Sequence, residues 1–131
     1  MALARDGGST AIAESMLPKL LSATTLAENP AVVEQVRQMM AATPLSGITG
    51  AIGALRDRPD SSGLLPELSD TPTLVVVGEE DQITPPDKAR AMSAAIPGSR
   101  FELVKGAAHL PTLERPDATT ALLGEFLAGL P

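Results

Sequence analysis

Only two stretches of this 131-residue chain have the composition of a β-strand, and both lie in its second half. Thr73-Leu74-Val75-Val76-Val77 is a continuous apolar, largely β-branched run, the pattern of a strand buried on both faces. Phe101-Glu102-Leu103-Val104, extending back to Arg100, is a second and shorter one. Between them Pro85-Pro86 opens a helical stretch running to about Ala95, with Ala89, Met92 and Ile96 facing inward, and Pro97-Gly98 closes it. A last helix starts near Pro116, with Asp117 in its first turn where the helix dipole favours an acid, and runs through Leu122, Leu123, Phe126 and Leu127 to Gly129. Strand, helix, strand, helix in that order calls for parallel strands joined by a right-handed crossover. The expected fold class is therefore α/β.

The first half reads as helices. Ile12, Met16, Leu17, Leu20 and Leu21 recur at helical spacing, with Pro18 expected to break or kink the pattern. Asn29-Pro30 is a helix start, a capping side chain followed by a proline suited to the first turn. Val32, Val33, Val36, Met39 and Met40 then form one stripe, and Leu45, Ile48, Ile52 and Leu55 form another. Arg56 to Pro66, polar and interrupted by Pro59 and Gly63, reads as a loop between a helical region over 1–66 and an α/β region over 67–131.

Composition narrows the chemistry. The net charge is −6 with the ten Lys and Arg scattered, and there are two Phe and no Trp or Tyr, so nucleic acid is not an expected partner. No cysteine is present, which excludes disulfides and thiolate–zinc sites. A single histidine without a carboxylate cluster argues against a catalytic metal, and nothing calls for a cofactor. The amino terminus lacks the apolar core of a signal peptide, and no run reaches the ~20 apolar residues of a membrane span. The expectation is a soluble, cytoplasmic protein.

Two residues stand out. Asp81, in Gly78-Glu79-Glu80-Asp81, follows the first strand, and His109, in Gly106-Ala107-Ala108-His109, follows the second. Both lie beyond carboxyl ends of strands, the edge at which open α/β sheets place ligands. An acid that orients a general base is two members of a nucleophilic triad. Adjacent Glu79 and Glu80 point apart and read as a solvated loop, while Glu114 reads as a cap or brace of the final helix. Gly47, Gly50 and Gly53 match no phosphate-binding fingerprint and fit close packing instead.

These motifs resemble the carboxyl-terminal part of an α/β-hydrolase. The resemblance is carried by Pro72 to Asp81, Thr84-Pro85-Pro86, Ile96-Pro97-Gly98, Gly106 to Leu110, Glu114-Arg115-Pro116 and Phe126-Leu127. The Gly-Ala-Ala-His-Leu loop is similar to that of oxoadipate enol-lactonases and their lactonase- or esterase-like relatives. The resemblance implies that Asp81 is the triad acid, that His109 is the base, and that the helical first half is a cap domain. It also implies a nucleophilic serine on a Gly-x-Ser-x-Gly elbow before the acid. Ser9, Ser46, Ser61 and Ser62 do not stand in that context, and the loops that supply oxyanion donors have no counterpart. The chain thus reads as a truncated α/β-hydrolase, cap plus last two core strands.

Two parallel strands leave backbone groups unpaired at open edges, and parallel sheets are normally larger and covered on both faces. A homo-oligomer, most simply a two-fold dimer, or a complementary amino-terminal hydrolase half is therefore the expected partner. Two functions remain open: one part of a serine hydrolase acting on a small-molecule ester or lactone, or a non-catalytic, self-associating assembly module of the same descent.

Overall fold

The computed structural model describes residues 2–130, with side chains from residue 8 onward. Four helices come first: α1 (Ala2–Leu20), α2 (Ala23–Glu28), α3 (Pro30–Ala41) and α4 (Leu45–Asp57). A 3-10 helix over Ser62–Asp70 leads into β1 (Leu74–Gly78), α5 (Pro86–Ala95), β2 (Arg100–Val104), α6 (Pro111–Glu114) and α7 (Pro116–Ala128).

The helical half holds together around one apolar seam. Leu17 and Leu21 meet Val36 of α3, and Leu20, Val32, Val33 and Met40 pack around them. Leu110 and Leu113, far along the chain, close the same cluster, so the core joins the helices to the segment that follows His109. Local chemistry sets the helix starts. Ser22 caps α2 by accepting from the Thr25 amide, and Asn29 caps α3 by accepting from the Val32 amide, with Pro30 in the first turn.

Pro18 does not break α1. The helix continues to Leu20, and its one departure from helical geometry is at Gly8 (φ 63°, ψ −161°). Pro18 falls in the last turn, where its missing N–H removes a single helical hydrogen bond, the one to the carbonyl of the exposed Glu14. The expected loop over Arg56–Pro66 is shorter than the sequence suggests. α4 runs on to Asp57, and the 3-10 helix begins at Ser62 with Pro66 inside it. The 66/67 division between the two regions falls within that 3-10 helix.

β1 and β2 pair in parallel, from Leu74 opposite Arg100 to Gly78 opposite Val104, with α5 as the connection. Thr73 C=O accepts from the Arg100 amide, and the Glu79 amide donates to Val104 C=O. Odd-numbered residues of β1 therefore face β2, and the N–H and C=O groups of Leu74 and Val76 face the opposite, open edge. Among the described residues no third strand pairs there. Of the three α5 positions expected to face inward, Ile96 is buried and Ala89 half-buried, whereas Met92 is 43% exposed. Met92 lines a cleft beside the unpartnered edge of β1, where no neighbouring strand covers it.

Candidate active site

Asp81 is placed by the turn that ends β1. Its Oδ1 accepts from the Ile83 amide at 2.8 Å and the Thr84 amide at 2.9 Å. Its Oδ2 accepts from the Thr84 hydroxyl at 2.7 Å and from His109 Nδ1 at 2.9 Å. The aspartate thus closes a local turn with one oxygen and presents the other to the imidazole. Burial alone pushes the Asp81 carboxyl up. The hydrogen bonds from His109, from the Thr84 amide and hydroxyl and from the Ile83 amide outweigh that, and it titrates below the ordinary aspartate value.

His109 is placed by the loop that ends β2. Gly106 turns the chain with φ 66°, a conformation that L side chains rarely adopt. Ala107 and Ala108 then pass directly over Gly78, where a Cβ would overlap their carbonyl oxygens. The two strand-end loops are bonded to one another, since the Glu80 amide donates to Ala107 C=O at 2.9 Å. This close approach brings Asp81 and His109, 28 residues apart, into contact. Because Nδ1–H donates to Asp81, Nε2 carries the free lone pair of the neutral imidazole, the group that can take a proton from a nucleophile.

The helical half is also bonded to this loop. The His109 amide donates to Leu20 C=O at 3.0 Å, and the Ser22 hydroxyl donates to Gly106 C=O at 3.1 Å. Glu114 reaches back instead of bracing the final helix. One of its oxygens accepts from the Ala108 amide and the other from the Ser22 amide, each at 2.7 Å. Glu79 and Glu80 are less free than a solvated loop would be. Glu80 accepts from the Ala23 amide at 3.2 Å, and Glu79 lies 3.4 Å from the Gly106 amide.

Sequence reasoning missed Thr84, Ser22 and the reach of Glu114. Thr84 had a signal, a hydroxyl residue three positions after an aspartate in a turn. Ser22 and Glu114 had none, because their bond spans 92 residues.

His109, Asp81 and Thr84 line a cleft of about 390 Å³ that continues along β1 past Met92. A larger cleft of about 730 Å³ lies between the 3-10 helix and α5 and touches neither Asp81 nor His109, so the smaller one is the candidate site. Among the described residues, no three His, Asp or Glu side chains come together as a metal site would require, and no hydrogen bond joins a serine to His109.

Comparison with known proteins identifies the fold family. The alpha/beta hydrolase fold family matches residues 8–116. A thermophilic esterase from Thermogutta terrifontis superposes with a TM-score of 0.90 at 42% identity, over 95% of this chain and 46% of that one. The enol-lactonase from Burkholderia xenovorans LB400 superposes with a TM-score of 0.87 at 29% identity, over 97% of this chain and 48% of that one. Among curated relatives, the pimeloyl-[acyl-carrier protein] methyl ester esterase of Neisseria meningitidis serogroup A is 36% identical over 74 residues, 56% of this chain and 23% of the relative. The chain spans less than half the length of each of these proteins.

Proposed function

Because the chain belongs to the alpha/beta hydrolase fold family, we propose that it supplies the acid and base of a serine hydrolase acting on a carboxylic ester or lactone. The observation that carries this reading is the 2.9 Å contact between His109 Nδ1 and an Asp81 carboxylate already fixed by three other donors. Such an aspartate holds the imidazole in one tautomer and stabilises the imidazolium that forms during acyl transfer. On this reading His109 Nε2 takes the serine proton as Oγ attacks the carbonyl carbon. It then returns that proton to the alkoxide as the C–O bond breaks. Water releases the acyl group by the same steps in reverse.

The serine and the oxyanion donors belong, on this reading, to an amino-terminal hydrolase segment that pairs with the open edge of β1. The helical half acts as the cap over the site. The esterase and enol-lactonase likenesses support an ester or lactone substrate.

A fluorophosphonate probe, which reacts with activated serines, tests the absence of a nucleophile directly. The chain alone is expected to remain unlabelled. Labelling at Ser9, Ser46, Ser61 or Ser62 that disappears on His109→Ala would overturn the reading and identify a relocated nucleophile.

A second reading, a self-associating module without activity, is favoured by one observation. The open β1 edge coexists with exposed apolar side chains, Ile52 at 52%, Leu55 at 65% and Leu64 at 57%.

A further inference from the structure

Glu114 is the most deeply buried carboxylate of the described chain, 3% exposed, and the acid–base pair makes no direct use of it. It lies at the end of α6, four residues long, and its two oxygens serve two separate backbone segments. One N–H belongs to Ala108, the residue before His109, and the other belongs to Ser22, the cap of α2. Both donors sit on residues only 1% exposed, so in the folded chain they depend on this carboxylate as their acceptor.

The contacts around it form one system. Gly106, Ala108 and His109 are each tied to residues 20–22: Gly106 C=O by the Ser22 hydroxyl, the His109 amide by Leu20 C=O, and the Ala108 amide through Glu114. Arg115 donates to the Glu114 main-chain carbonyl at 2.7 Å and not to its carboxylate. The charge is therefore met by backbone N–H groups. A carboxylate suits this place because two donors converge on it and each needs an acceptor. A glutamine of the same shape has one acceptor oxygen and would turn an NH2 group toward the second N–H.

We propose that Glu114 is a positioning residue for His109, clamping the loop that carries the imidazole onto the junction between α1 and α2 so that Nδ1 stays on Asp81. The proposal rests on reading His109 as the base, and it links the helical half to the geometry of the acid–base pair. A position change at Ser22 is transmitted to Ala108 through a single side chain.

The test is nuclear magnetic resonance on the full chain, comparing the parent with Glu114→Gln and with Val36→Ala. The last is a control that loosens the apolar seam of α1 and α3 without removing either hydrogen bond of the clamp. Two quantities are read: hydrogen exchange at the Ser22, Ala108 and His109 amides, and the hydrogen-bonded Nδ1–H signal of His109. Glu114→Gln is expected to speed exchange at these amides at least tenfold and to weaken or remove the Nδ1–H signal in the folded protein. Val36→Ala is expected to lower thermal stability while leaving both readings at His109 in place. Parent-like exchange and an intact Nδ1–H signal in Glu114→Gln would overturn the proposal, as would equal changes in the Val36→Ala control. If Glu114→Gln fails to fold, Glu114→Asp is read by the same two quantities, since it keeps the charge but shortens the reach. Neither reading depends on turnover, so failure of the clamp is separable from failure of the hydrolase assignment.

Discussion

Asp81 gathers four donors on two oxygens, three from its own turn and one from His109, and its charge is what those donors require. Its carboxyl titrates below the ordinary value of about 3.9 that it would have in the unfolded chain. A depressed folded value means that this part of the stability is complete above the unfolded value and is lost as pH falls through and below it. The urea midpoint of the parent is therefore expected to drop more steeply as pH falls below about 4 than that of Asp81→Asn. Glu34, Asp57 and Asp60 are also lowered, but they are exposed and common to both proteins. Parallel curves for the two proteins would contradict the depressed Asp81. The Asp81–His109 contact was legible in the sequence because each residue sits just past a strand end, and parallel pairing brings those ends together. Glu114 was not legible, because its role depends on how α2 lies against the histidine loop and not on any local pattern.

Among the elements, those with strong local signals appeared where the sequence put them. Asn29-Pro30 starts α3, Pro86 opens α5, and both strands form within a residue of the apolar runs that mark them. α2 and α6, six and four residues long, were missed because they are too short to show periodicity. α4 was legible as a helix but has no buried residue: it touches α1 and half-buries Ile48, while Leu45, Ile52 and Leu55 of its apolar stripe stay exposed. β1 presents the same problem in its backbone, with Leu74 and Val76 facing an open edge. Self-association through that edge is the expected consequence for the chain on its own. Val76→Pro removes an N–H that points away from β2, so it spares the existing ladder while blocking a new one. At micromolar concentration the parent is expected to sediment as a dimer or larger species, and Val76→Pro as a monomer. A stable, well-folded parent monomer would contradict this.

At the scale of the whole molecule, the helices, the two strands and the acid–base pair form a connected unit, yet that unit corresponds to less than half of the hydrolases it superposes on. No helix of the described residues is long and apolar enough to cross a membrane. The fold class and the meeting of Asp81 with His109 were readable because strand order and strand ends determine both. Substrate identity was not readable, because no residue pattern in this sequence specifies which acyl or alcohol group a site would accept. The most direct test of the central claim is ester turnover by the chain combined with the amino-terminal half of a related hydrolase such as the Thermogutta esterase. The expected result is saturable hydrolysis of a nitrophenyl ester that neither part shows alone and that falls more than about a thousandfold on His109→Ala. Saturable turnover by the chain alone, or an assembled enzyme indifferent to His109→Ala, would contradict it.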